Sequence, residues 1–239
     1  MPSRIAAITF EVANPEAQAA FYQNQLGMTV HDRCDGVRVG YHGDDADLIF
    51  RQGTRGISYC HSRDDRYWKI GITLPNLDLA CDRLKRDGVA VSAPHQFQDI
   101  GYMAHLTDPE GFQIELLQHT FEGEPRTSEG DPLIPLGGGA TVGQVTYRTA
   151  DISSELKQYR DKLGMRLISL QPVHSYGFDL YFLTLSADQP PEKDIESVTN
   201  RPWLWQRPYT LLEFQHFPEG DPDLFVNDLG AVQGEITIA

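Results

Sequence analysis

The residues best suited to chemistry lie in the second half of the chain. Gln144 and Arg148 sit four apart in the run Gln144-Val145-Thr146-Tyr147-Arg148, and Glu213 sits in Leu212-Glu213-Phe214. In a strand, residues four apart share a face. An amide and a carboxylate are donors for hard or borderline divalent ions. A guanidinium suits bidentate pairing with a carboxylate. Other chemistries find less support. The eight histidines form no HxH or HExxH group, and Gly137–Gly139 lacks the Lys-Ser/Thr of a phosphate loop. Cys34, Cys60 and Cys81 form no CxxC pair and read as reduced, small buried side chains.

Composition narrows the partners. The 239 residues carry 20 Lys+Arg against 34 Asp+Glu, a net charge of −14. Such a surface repels phosphate backbones and anionic lipid, so neither nucleic acid nor membrane is expected. The first residues, Met1 to Ala7, lack the apolar run of a signal peptide. No stretch approaches the ~20 apolar residues of a membrane helix. A cytoplasmic location is expected.

The elements that must position these residues repeat along the chain. Ile5–Val12 alternates as a strand, and Asn14-Pro15 provides an N-cap and first-turn proline for a helix ended by Gly27. The pattern recurs 137 residues on: 151 − 14 = 137 relates Asp151 to Asn14, and 164 − 27 = 137 relates Gly164 to Gly27. A third copy lies between, with the strand Lys69–Leu74, Asn76 as cap and Gly88 as stop. It closes with the turn Asp108-Pro109-Glu110-Gly111 and the strand Phe112–Leu117. Three strand–helix–strands units result, at about 4–53, 66–120 and 141–217. Phe121–Gly139 has a linker's composition, and Gly234–Ala239 alternates like one more first strand.

The repeated Leu-Gly-Met (residues 26–28 and 163–165) and the Asp-Pro-Glu-Gly-Phe hairpin (108–112) resemble motifs of the vicinal oxygen chelate superfamily. This superfamily comprises glyoxalases, bleomycin resistance proteins and extradiol dioxygenases. Residues 144–217 further resemble the first half of eukaryotic-type glyoxalase I, through Gln144–Arg148, Leu163-Gly164-Met165, Leu180–Leu183, Pro191–Asp194 and Leu212–Phe214. The resemblance implies an α+β fold of βαβββ modules paired into half-barrel cups. We expect modules one and two to pair over residues 1–120, a linker at 121–140, and an incomplete third module at 141–239.

The resemblance also assigns roles. Gln144 and Glu213 would be metal ligands, with Zn²⁺ favoured over Mg²⁺, Mn²⁺ or Ni²⁺. Arg148 would hold an anionic substrate end, and Phe182 and Trp203 would contact substrate. A following module would bring the remaining ligands, which places Glu235 of the final strand at the third position, as ligand or base. In module two Lys69 replaces the first ligand and faces Glu115, so an ion pair is expected in its cup. Phe10, Tyr41, Phe50, Trp68 and Phe112 would line that cup. The implied function is a metal-dependent lyase or isomerase acting on a thiol–aldehyde adduct of the lactoylglutathione type. The alternative is a metal-free small-molecule-binding protein of the same fold. Module three needs a partner to bury its sheet, so a homodimer joined through two third modules is expected.

Overall fold

The computed structural model describes residues 3–32, 34–53, 59–221, 223–225 and 233–239. Met1 and Pro2, the start of the N-terminal run discussed above, lie outside the described residues. The first module comprises β1 (Ile5–Val12), α1 (Pro15–Leu26), β2 (Thr29–Asp32), β3 (Val37–Gly40) and β4 (Asp47–Gln52). The second comprises β5 (Tyr67–Leu74), α2 (Leu77–Arg86), β6 (His95–Phe97), β7 (Gly101–Thr107) and β8 (Gln113–Gln118). The third comprises β9 (Thr141–Thr149), α3 (Ile152–Leu163), β10 (Arg166–Val173), β11 (Phe178–Thr184), the short α4 (Asn200–Leu204) and β12 (Leu211–His216). The last strand is β13 (Gln233–Ile238).

The repeat rests on a repeated cap. Asn14 accepts from the Ala17 N–H at 3.1 Å, Asn76 from Leu79 at 3.1 Å and Asp151 from Ser154 at 3.0 Å. Each side chain satisfies an N–H that the helix itself leaves without a partner. Gly27 and Gly164 end α1 and α3 in the left-handed region, at φ 77° and 70°, where a Cβ would be strained.

The sheets pair otherwise than the expected order. Modules two and three share one eight-stranded sheet, β10-β11-β12-β9-β5-β8-β7-β6, joined by antiparallel pairing of β5 with β9. Module one forms a separate five-stranded sheet, β13-β1-β4-β3-β2, in which β13 pairs antiparallel with β1. The first strands of modules two and three thus meet in one sheet, β1 meets β13 in the other, and modules one and two, although consecutive in the chain, do not share a sheet. The expectation of a paired unit over residues 1–120 and a lone third module is corrected accordingly. Module three, expected to need a second copy, pairs with module two of the same chain through β9 and β5.

Modules one and two do share apolar packing. Phe10, Tyr22, Phe50, Tyr67 and Phe112 form one aromatic cluster with ring centroids 4.9–6.0 Å apart. The hairpin reaches across as well: Asp108 accepts from the backbone of Glu110, Gly111 and Phe112 and from Tyr22 and Gln18. Glu110 accepts from the N–H groups of Ala13 and Asn14. Phe10, Phe50 and Phe112 are therefore core residues; of the five aromatics expected to line a cup, Trp68 does so.

Phe121–Gly139 is an ordered strap. Leu136 is buried at its tip, Asp131 donates its N–H to the Gly137 carbonyl, and Asn76 donates to the Glu129 carbonyl. Its composition reads as a linker, yet one apolar anchor in the short 3-10 turn Pro135–Gly137 and these hydrogen bonds hold the strap down. Among the described residues no helix is long and apolar enough to cross a membrane.

Candidate functional site

The centre of the eight-stranded sheet follows from strand register. Gly71 of β5 lies opposite Gln144 of β9 and Glu115 of β8. Thr146 of β9 lies opposite Lys69 of β5 and Glu213 of β12. Lys69 and Gly71, like Gln144 and Thr146, are two apart and share a face. The register therefore gathers Lys69, Glu115, Gln144 and Glu213 into one cluster from two modules. All four are at most 3% exposed. Gly71 gives the cluster room, because a Cβ there would stand 2.4 Å from Gln144 Cγ.

The cluster is internally paired. Lys69 Nζ lies 2.6 Å from Glu115 Oε2 and 3.7 Å from Glu213 Oε2. Gln144 Nε2 donates to Glu115 Oε1 and to Glu213 Oε2, each at 3.0 Å. Thr146 donates its hydroxyl to Glu213, and His105 Nε2 lies 3.1 Å from Glu115 Oε2. Gln144 Oε1 is buried and has no partner.

These contacts push the two carboxyls apart. Burial raises the Glu115 carboxyl, but the Lys69 ammonium, aided by His105, outweighs burial and holds it at about 2. Glu213 moves the other way: burial, joined by the like charge of Glu115, raises it against the pull of Lys69 and Thr146. One ammonium faces two carboxylates, and the nearer takes most of its field.

Above this floor opens a cavity of about 720 Å³. Its walls are largely apolar: Trp68, Phe97, Ile100, Met103, Leu117, Phe178, Leu180, Phe182, Trp205, Phe217 and Phe225. Lys69, His105, Glu115, Gln144 and Glu213 supply the polar floor, and Arg148 supplies a cation farther along β9. Arg148 stacks on Trp68 with its guanidinium carbon 4.9 Å from the ring centroid. It donates to the backbone carbonyls of Ser62, Arg63 and Asp65 and to Gln215 Oε1. Burial lowers its pKa to about 10, so it stays charged at neutral pH. Its hydrogen-bond partners are neutral oxygens, and the nearby Asp64 and Asp65 carboxylates also act on its charge.

The structure brings Gln144, Glu213, Arg148 and Phe182 to one cavity. Trp203 sits outside the lining residues, partly buried on the second core cluster with Arg207 stacked on its ring at 4.2 Å, and Trp205 takes the place at the wall. Glu235 is exposed on β13 opposite Thr9, in the other sheet. Sequence reading passed over Thr146, His105 and Gln215. Two-residue alternation held the signal for two of them: Thr146 lies between Gln144 and Arg148, and Gln215 follows Glu213 on the same face.

The residues do not fit a resident divalent ion. An ammonium, which cannot ligate, stands against both carboxylates. The Gln144 amide turns its NH₂ group, not its oxygen, toward them. Among the described residues no group of three or more His, Cys, Asp or Glu could hold a metal.

Paired βαβββ modules around an apolar cup with acidic residues on its floor define the class of protein. A family model described as Glyoxalase/Bleomycin resistance protein/Dioxygenase superfamily matches residues 4–116. Lactoylglutathione lyase from Neisseria meningitidis, in serogroup A and B strains, is 30% identical over 125 residues, covering 48% of this chain and 90% of that protein. The chain belongs to this superfamily. Glyoxalase I from Zea mays superposes with a TM-score of 0.68 over 99% of this chain and 74% of the maize chain, at 16% identity. That likeness is one of fold.

Proposed function

We propose that this protein binds a small, largely apolar molecule in the cup between modules two and three, without a resident metal. The observation that carries this reading is the cavity itself, aromatic on its walls and closed beneath by a charged cluster whose carboxylates are already paired. Apolar walls supply affinity, and a few convergent polar groups fix orientation. Arg148 would receive an anionic group of the ligand, and Phe182 and Trp205 would pack on its body. The cup closes within one chain, so binding does not require the homodimer expected from the sequence.

Trp68 and Trp205 border the cavity, which makes their fluorescence a direct reporter. Titration with 8-anilinonaphthalene-1-sulfonate, an aromatic anion, should show one saturable site per chain that Arg148→Met weakens. Unsaturable binding, or affinity indifferent to Arg148→Met and Phe182→Ala alike, would remove this reading.

The relatives named lactoylglutathione lyase bring a second reading: a lyase acting on a thiol–aldehyde adduct, glutathione-derived or other. It needs Gln144 and Glu213 to hold a divalent ion, Zn²⁺ by resemblance and Mg²⁺, Mn²⁺ or Ni²⁺ by donor type. Lys69 stands against that arrangement. An assay with the methylglyoxal–glutathione adduct and each ion added separately decides it, and ion-dependent turnover lost in Glu213→Gln would favour the lyase.

A further inference from the structure

Two ionised carboxylates buried side by side are costly unless a cation or a proton stands between them. Here it comes from the chain: the Lys69 ammonium contacts Glu115 at 2.6 Å and Glu213 at 3.7 Å. The Gln144 amide reinforces this state by donating to both carboxylates, which leaves its own oxygen without a partner. A metal-ligating amide would point that oxygen inward. Without the ammonium, the same residues are two carboxylates and one amide oxygen at the buried floor of the cup. That set suits a hard divalent ion.

We propose that Glu115, Gln144 and Glu213 form a cation cage whose occupant is the tethered Lys69 ammonium, so that residue 69 alone decides between an internal ammonium and an external divalent ion. The tether fixes the cation's stoichiometry at one per cage and makes the cup indifferent to metal supply and chelators. It also changes what the floor offers a ligand. An ammonium donates hydrogen bonds to single acceptor oxygens, whereas a metal would coordinate several at once. The inference goes beyond the binding reading while concerning the same cup. Its readout is ion uptake without any ligand, so either can fail alone.

The test uses the full chain, stripped with EDTA, and Mn²⁺ alone as probe, followed by equilibrium dialysis and electron paramagnetic resonance. The wild type should show no saturable Mn²⁺ site, and its thermal midpoint should ignore both Mn²⁺ and EDTA. Lys69→Gln offers a shorter, neutral oxygen donor. It should bind about one Mn²⁺ per chain, with a thermal midpoint that rises in Mn²⁺ and returns with EDTA. Adding Glu213→Gln should abolish that uptake. If Lys69→Gln does not fold alone, it should recover a cooperative melt when refolded in Mn²⁺, and the double variant should not. A saturable wild-type site abolished by Glu213→Gln would overturn the proposal. So would a folded Lys69→Gln without a saturable site, or one that Mn²⁺ fails to refold.

Discussion

At the centre of the eight-stranded sheet, Lys69 and Glu115 of module two stand beside Gln144 and Glu213 of module three. The five-stranded sheet repeats the register. Thr9 of β1 lies opposite Ile49 of β4 and Glu235 of β13, as Gly71 lies opposite Glu115 and Gln144. The position of Lys69 is taken there by Ala7, two residues before Thr9. Equivalent backbone thus carries an alanine, an isoleucine and an exposed glutamate where the other sheet buries Lys69, Glu115 and Gln144, and among the described residues no strand there corresponds to β12 and its Glu213. Ion pairs on the five-stranded sheet are partly exposed, among them Arg38 with Asp47 at 3.5 Å and Arg51 with Asp35. Such partly exposed pairs contribute little. Strand order builds the place for a site, and two first strands facing each other are enough to locate it. Chemistry needs the right four side chains as well.

The comparison breaks most sharply at Lys69. Lys69→Met leaves two buried carboxylates without their cation and should cost about 3–5 kcal/mol in a urea denaturation series. A loss below ~1 kcal/mol would mean that the pair behaves like the surface pairs of the five-stranded sheet. Phe182→Ala should follow, at about 3 kcal/mol, the low end for a buried phenylalanine because the ring already borders a cavity. Dye affinity should fall with it.

Arg148→Met should lower dye affinity about tenfold, about 1.4 kcal/mol, and leave an uncharged aromatic probe nearly unaffected. Equal losses for both probes would assign Arg148 to packing. The pH dependence of stability is subtler and tests the two carboxyls against each other. Glu115 titrates at about 2 when folded, below its ordinary 4.5. Its contribution is present above pH 4.5 and is lost as pH falls toward 2. Glu213 is raised, so the native state holds its proton longer, and its contribution is largest below its ordinary value and declines as pH rises through the folded one. Glu115→Gln should therefore flatten the acid limb of a midpoint-against-pH curve, and Glu213→Gln should flatten the decline above it. The smallest effect belongs to the other sheet. Glu235→Gln, exposed on β13, should shift stability by less than ~0.5 kcal/mol and leave dye and Mn²⁺ binding unchanged.

Much of this was legible in the residues. Asn14, Asn76 and Asp151 announced three helix starts because a capping side chain acts within three residues of itself. Resemblance to the superfamily pointed to Lys69, Glu115, Gln144 and Glu213 at equivalent strand positions, and Lys69 was readable as the ammonium of an ion pair with Glu115. The apolar bodies of Phe10 and Phe112 were readable too, though whether they would face a cup or a core was not.

What the sequence by itself determined, then, was the module and its caps, and through resemblance the polar residues its strands present. Which modules share a sheet was decided only in three dimensions. Every first strand has an unsatisfied edge, and the hydrogen bonds that close it are the same whichever strand supplies them. The choice between partners depends on how all the helix faces pack at once, here an aromatic cluster tying module one to module two while β5 turns its edge to β9. Tertiary structure therefore merged two half-sites, read separately as an ion pair and a metal site, into one buried cluster. Coulomb attraction acts through space and is blind to chain order, so Lys69, 2.6 Å from Glu115, also acts at 3.7 Å on Glu213, 144 positions away (213 − 69 = 144).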